Sequence, residues 1–478
     1  LTTSRDIARN TFYLASSHIV TRLLGLLVTM VLMRYLGLGN YGELTLAYAY
    51  LGLFSTLIDA GLDLALIRTA NQLPDRLGDL LGNGFLLRGL LAAAGYLLAA
   101  ALLPLWGYPP QIVHLLRLAL LMLLLLPLIM PRLALLVTQQ IRLAAALDVI
   151  VQLVNTVFIL CAVRFGQGSG APVLIAQIAA FVIASPIYFA YTRRFLPRPL
   201  SFRIDFQLWR RLLVQSWPLA ISGMLYVFQI QVTRLLVGRM LSATEGGWYT
   251  AAYNLATSLS ALPVIYFSSV YPLLAKYYLT DVGKFRWLYR LSFKAMMMFF
   301  LPFVILISLT SRQVMTLYAG VDYLPAASLL IGLVWIEAFQ FASVVLYYTI
   351  LAAGQQRVLP WVASVLAVVR VGLNVILLPR IGLAGTVVAG LAMYGAAFII
   401  YGFMLVTRSY VLDWLRSLWQ PGAAALILAV LILITRPTGI VAWVGGLAVY
   451  GLLLVVLRAV KAGDVSFVRG LIGRAGPE

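Results

Sequence analysis

Charge is scarce in this chain. Of its 478 residues only 10% are charged, where a soluble domain carries about 25%. Acids are scarcer than bases, 15 against 35. There is one cysteine, Cys161, which excludes an internal disulfide and a cysteine metal cluster. The two histidines, His18 and His114, lie on different apolar runs, so no metal site is expected. No GxxxxGK[ST] loop occurs, so no ATP site of that kind is expected. The glycine-rich LGLGNYG from Leu36 to Gly42 joins two apolar runs and reads as a tight turn. What fills the chain is hydrophobic, 63% of residues.

The hydrophobic residues fall in runs of about 20, the length that spans a bilayer as helix. Fourteen spans are predicted: 11–33, 43–66, 84–106, 113–137, 144–163, 172–191, 212–237, 248–273, 288–309, 325–351, 358–378, 383–406, 420–435 and 440–457. The fold class is therefore an all-α polytopic membrane protein. One set of alternate loops carries most of the basic residues, the run from Arg193 to Arg211 among them. The other set holds Arg34, Arg164, Arg239, Arg312, Arg380 and Arg436. The positive-inside rule then puts both termini in the cytoplasm and accounts for the net charge of +20 without nucleic acid. No signal peptide is expected ahead of the first span. Loops on the far side are short, which leaves no room for a catalytic domain; an enzyme is not expected.

Residues 193–211 are the most basic segment. Pro197 and Pro199 break any continuous helix, and Asp205 suits a helix cap before Phe206. The segment reads as a cytoplasmic linker with an interfacial helix, its arginines at the anionic lipid surface. A specific site for a partner or headgroup is the alternative. The predicted domains are a bundle at 1–192, the linker at 193–211, a second bundle at 212–407 and a helix pair with tail at 408–478.

A repeat supports two halves. The stretch Arg34–Leu57 aligns without gaps on Arg239–Leu262, a shift of 205 residues, with a third of positions identical, Gly42 on Gly247 and Tyr48 on Tyr253 among them. Either two greasy hairpins coincide, or the chain is an internal duplication with a pseudo-twofold along the membrane normal.

Polar residues recur at helical spacing within spans: His18, Arg22, Gly25 and Thr29 on the first; Tyr48, Gly52, Ser55 and Asp59 on the second; Ser222, Tyr226, Gln229 and Thr233 on the seventh; Thr250, Asn254 and Thr257 on the eighth. Such steps share one helix face, which faces a bundle interior or water rather than lipid. Helix–helix glue is the alternative. Among basic residues within spans, Arg88, Arg117, Arg132 and Lys294 lie near span ends and are read as snorkelling. Arg22, Arg234 and Arg370 lie deeper and are read as cavity-lining. Asp59, Asp63 and Glu337 are embedded acids, with Glu43 and Asp148 near ends. The balance is positive, which suits an anionic cargo such as a pyrophosphate, because arginine offers forked donors to phosphate oxygens.

The segments Tyr41–Arg68, Ser216–Gly238, Gly247–Tyr277 and Leu373–Gly390 resemble the polysaccharide-unit flippases of the multidrug/oligosaccharidyl-lipid/polysaccharide exporter superfamily. The resemblance runs to about Arg408. It implies two six-helix bundles around a central cavity, with alternating access. It implies an undecaprenyl-pyrophosphate-linked oligosaccharide as cargo, moved across the bacterial inner membrane for surface polysaccharide assembly, with a polymerase and glycosyltransferases as partners. Arg22 matches the cavity arginines that peptidoglycan-precursor flippases carry on their first helices. Some relatives bind sodium through acids on the seventh and eleventh helices; here those helices offer Gln229, Gln231, Thr233 and Asn374, a departure from that pattern. The acid that drug exporters carry on the first helix is also missing. On this reading Arg22, Arg234 and Arg370, with His18 and Asn374, engage pyrophosphate or acidic sugars, and Tyr48, Tyr226 and Tyr253 contact sugar rings. No cofactor is expected. Asp59 and Glu337 are the candidates for proton coupling, Asp59 alternatively forming a structural ion pair. The rival readings are a peptidoglycan-precursor flippase and a cation-coupled multidrug exporter.

Overall fold

The computed structural model describes residues 4–59, 61–166, 168–196, 200–435 and 439–459. The linker residues 197–199 and the tail beyond 459 lie outside the described residues. Among the described residues there is no strand. The helices are α1 Ser4–Asp59, α2 Leu62–Gln72, α3 Leu77–Leu102, α4 Pro110–Leu120, α5 Met130–Val137, α6 Ile141–Phe165, α7 Gly170–Thr192 and α8 Phe206–Met240. They continue as α9 Ala243–Ala256, α10 Ala261–Thr280, α11 Val282–Tyr318, α12 Ala326–Ala352, α13 Leu359–Ile381, α14 Ala384–Phe403, α15 Leu405–Thr435 and α16 Gly439–Val456. Among the described residues, ten helical stretches are long and apolar enough to cross a membrane, one of them, Ser16–Asp59, holding most of the first and second expected spans. The protein is a multi-pass membrane protein, as its hydropathy predicts.

Local chemistry explains the breaks. Gly37 has φ 71°, a positive value that glycine adopts readily, and it kinks α1 into two segments. Gly61, at φ 70°, separates α1 from α2. Pro127 removes a backbone donor, and the backbone between α4 and α5 tightens into 3₁₀ turns over Leu121–Ile129. Ser242 caps α9: its Oγ accepts from the Glu245 amide at 3.1 Å and donates to the Glu245 carboxylate at 3.0 Å.

By compactness the chain divides into two units, Leu1–Gly247 and Trp248–Glu478. These are compact bodies, a different division from the repeat halves expected at 1–192 and 212–407. In the first, α2, α3, α5 and the start of α8 share an apolar cluster that includes Leu66, Leu81, Met130, Leu133, Leu208 and Leu212. In the second, α11 and α12 pack along their length, with Phe300 stacked on Phe341 at 4.0 Å.

The basic linker is docked rather than loose. Asn83 of α3 accepts at Oδ1 from the Asp205 amide at 2.9 Å and from Trp209 Nε1 at 3.0 Å. Its Nδ2 donates to the carbonyl of Arg203 at 2.9 Å. A Cβ at Gly82 would lie 1.9 Å from the Ser201 carbonyl oxygen, so only glycine admits this approach. Asp205 caps α8 as expected, accepting from the Leu208 amide at 3.0 Å. The expected separate interfacial helix is corrected, however. Residues from Phe206 onward are the first turns of α8 itself, and Leu208 and Leu212 are buried in protein.

The turns of the two repeat copies touch. A Cβ on Gly42 would fall 1.8 Å from the Ala243 carbonyl oxygen, and one on Gly247 would fall 2.9 Å from that of Leu38. Under the 205-residue shift Leu38 is the counterpart of Ala243, and Gly42 that of Gly247. Each copy therefore offers the same glycine to the same position of the other, the exchange expected across a twofold axis. This geometry favours duplication over coincidence.

In the second unit, Asp413 of α15 is buried against α11. It accepts from Arg286 Nε at 2.7 Å and Arg290 Nη2 at 2.6 Å. Burial alone pushes its carboxyl up; the hydrogen bonds from Arg290 and Arg286 outweigh this and hold it below the ordinary range. A depressed folded-state value stabilises above the unfolded value of about 3.9 and is lost as pH falls through the folded one. Thermal unfolding in detergent is expected to show this loss on acidification below about pH 4, and Asp413→Asn is expected to remove that part of the slope. An unchanged acid slope in the variant contradicts the assignment.

Candidate functional site

The predicted site residues fall into separate groups. On α1, His18 and Arg22 are exposed, one turn apart. Beside them Ile19, Leu23 and Leu27 make an exposed apolar stripe at the same spacing. An arginine well inside a membrane-length helix costs roughly 2.5–3.5 kcal/mol if it meets hydrocarbon. The apolar stripe suits lipid, and the His18–Arg22 face suits water or phosphate.

On the second half of α1, Tyr48 is half-buried and its hydroxyl donates to Gln177 Oε1 of α7 at 2.7 Å. α8 lies against this half of α1 because Gly52 leaves room: a Cβ there would stand 2.3 Å from Gln231 Nε2. Arg234, half-buried, lies 3.5 Å from Gln231 Oε1. Gln229 and Thr233 of the same helix are buried, and Tyr226 is exposed.

In the second unit, Arg370 and Asn374 of α13 are both buried, one helical turn apart; Asn374 Nδ2 donates to the Arg370 carbonyl at 2.9 Å. The guanidinium of Arg370 sits in a tyrosine surround of Tyr249 and Tyr253 from α9 and Tyr394 from α14. Tyr249 stacks on Tyr253 with ring centres 5.8 Å apart. Tyr394 donates to Gln340 Oε1 at 3.0 Å. Glu337 is buried on α12, one turn from Gln340. Arg370, Asn374 and Tyr253 are thus brought together, with Tyr249, Tyr394 and Gln340 as members the sequence reading did not pick out.

The reading of Arg88 and Arg132 as snorkelling is corrected. The Arg88 side chain is 1% exposed, and its Nη2 contacts Asp59 at 3.0 Å and Asp63 at 2.5 Å. Arg132 grips Asp148 with two 2.7 Å hydrogen bonds from Nε and Nη2. Tyr188 donates to the same carboxylate at 2.6 Å. Asp59 therefore has the structural ion pair foreseen as its alternative role, and both basic residues are matched by acid. Equal depth was the available signal: Arg132 and Asp148 flank one turn at similar distances from it, as Asp63 and Arg88 flank another.

A family model described as "Polysaccharide biosynthesis protein" matches residues 7–278, more than half of the chain. No curated protein sequence matches it. Solved structures share its fold. A lipid II flippase MurJ in an inward closed conformation aligns with TM-score 0.70 at 15% identity, covering 96% of this chain and 99% of that one. An inward-facing multidrug resistance MATE family transporter of the MOP superfamily aligns with TM-score 0.63 at 16% identity, covering 83% and 99%. A MOP superfamily transporter from Pyrococcus furiosus aligns with TM-score 0.58 at 14% identity, covering 84% and 95%.

Proposed function

We infer that this chain, which belongs to the polysaccharide biosynthesis protein family, flips undecaprenyl-pyrophosphate-linked oligosaccharide units from the cytoplasmic to the outer leaflet of a bacterial inner membrane. It works by alternating access, with both termini cytoplasmic, and supplies surface polysaccharide assembly. The polymerase and glycosyltransferases of that assembly are its partners, and the surrounding lipids its solvent. The observation that carries this reading is the family match across α1 to α10, on whose helices Arg22 and Arg234 lie. Arg22 is the entry contact for the pyrophosphate, being exposed on the polar face of α1. Arg234 in the first unit and Arg370 in the second are each contacts for the anionic group. Tyr226 and Tyr253 contact the sugars, and Tyr48 does so once released from Gln177. A peptidoglycan-precursor flippase is the second reading, favoured by the fold likeness to a lipid II flippase.

Deleting the gene tests the proposal. Lipid-linked oligosaccharide is expected to accumulate on the cytoplasmic leaflet, with surface polysaccharide lost and growth maintained. Accumulation of peptidoglycan precursor with arrested growth supports the second reading instead; unchanged lipid-linked pools contradict both.

A further inference from the structure

The first unit holds a charge cluster that the flipping reading does not use. α1 ends at Asp59, the backbone turns through left-handed Gly61, and α2 begins with Asp63 in its first turn. This break brings both carboxylates onto one nitrogen, Arg88 Nη2, at 3.0 and 2.5 Å. The carboxylates are half-exposed, 53% and 45%, while Arg88 behind them is 1% exposed. Arg88 Nε, also buried, has no hydrogen-bond partner among the described residues. Both acids thus converge on Nη2, while the buried Nε donor is left unused.

The surrounding charges do not offset the second acid. Arg132 of α5 lies within electrostatic reach of Asp63, but its fork is occupied by Asp148 of α6. Tyr188 of α7 donates to that same Asp148. The facing groups from six helices are thus three carboxylates, two guanidiniums and one phenol. One negative charge is left over, and it belongs to the pair converging on Arg88. Two like charges held at one point favour uptake of a proton by one of them, and the proton then belongs to the pair rather than to either residue.

We propose that Asp59 and Asp63 form a single proton-binding site, with Arg88 as its fixed counter-ion. Binding converts one carboxylate to a carboxylic acid and leaves the other as the sole anionic partner of Arg88. Because the two acids sit on either side of the Gly61 break, the proton changes how firmly α1 and α2 are both tied to α3. Its use in driving transport rests on the flippase reading; the binding itself does not.

Infrared difference spectroscopy of the purified full chain in bilayers, recorded across pH, tests the site without any transport assay. One protonated-carboxyl band is expected to appear on acidification. It is expected to vanish in Asp59→Asn and equally in Asp63→Asn, each of which keeps one carboxylate for Arg88 and so preserves the ion pair. Glu337→Gln is expected to leave it in place. A band that survives both Asp substitutions, or that Glu337→Gln removes, overturns the proposal. So does the lack of any such band in the wild-type chain. A response to sodium concentration at fixed pH, rather than to pH, gives the site to a metal cation and overturns it as well.

Discussion

Arg22→Ala is expected to lower glycan export by roughly ten- to a hundredfold while the protein stays folded in the membrane. The size follows from the bond lost. A hydrogen bond to a charged group contributes about 1.5–3 kcal/mol, and each 1.4 kcal/mol is a factor of about ten. The intact fold follows from position. Arg22 is exposed on α1, and exposed substitutions usually shift stability by less than about 0.5 kcal/mol. Arg22→Lys keeps the charge but loses the planar fork, so it is expected to fall between the two. The check is surface polysaccharide per unit of membrane-inserted protein. Full export by the alanine variant removes Arg22 from the path of the cargo.

The second large effect belongs to stability. Gly42→Ala is expected to destabilise the chain by about 1–3 kcal/mol or more, the usual cost of overpacking. The obstacle is backbone: the new Cβ meets the Ala243 carbonyl oxygen at 1.8 Å and its carbon at 2.6 Å. No side-chain rotamer relieves that contact, so the two turns must separate. Gly247→Ala, at 2.9 Å, is expected to cost less. Gly25→Ala has nothing within 4 Å and removes a glycine from a helix, so it is expected to be neutral or to stabilise by up to about 1 kcal/mol. Thermal unfolding of the three variants gives the order. A Gly42→Ala protein that unfolds with Gly25→Ala sinks the symmetric contact.

Hydropathy made the multi-pass helical fold legible, because a bilayer demands long apolar runs and little else. The repeat was legible in part. The alignment of Gly42 on Gly247 could be read from the letters, but the reason for glycine there is the approach of one turn to another, which is a tertiary fact. The charged residues were the hardest to read. Arg88 sits four residues into its span, a position from which an arginine snorkels if nothing faces it. What faces it is Asp59 and Asp63, supplied by a helix break that Gly61 makes and that hydropathy does not register. Arg370 shows the same limit. Its depth was visible in the sequence, whereas its tyrosine surround draws on α9, more than a hundred residues away, and on Tyr394 of α14, 24 residues away. The linker was read as a strip of lipid-facing arginines. Asn83 docks it by three hydrogen bonds, with Gly82 and Gln72 adding contacts, and no pattern in residues 193–211 announces them.

The central claim is that this chain moves an anionic lipid-linked glycan between leaflets. Reconstituting the purified protein in sealed vesicles carrying an undecaprenyl-pyrophosphate-linked oligosaccharide measures this directly, through an impermeant enzyme or lectin added outside. The account predicts that inner-leaflet glycan becomes accessible with the wild-type chain and does so roughly ten- to a hundredfold more slowly with Arg22→Ala. Equal protection in vesicles with and without the wild-type protein contradicts it.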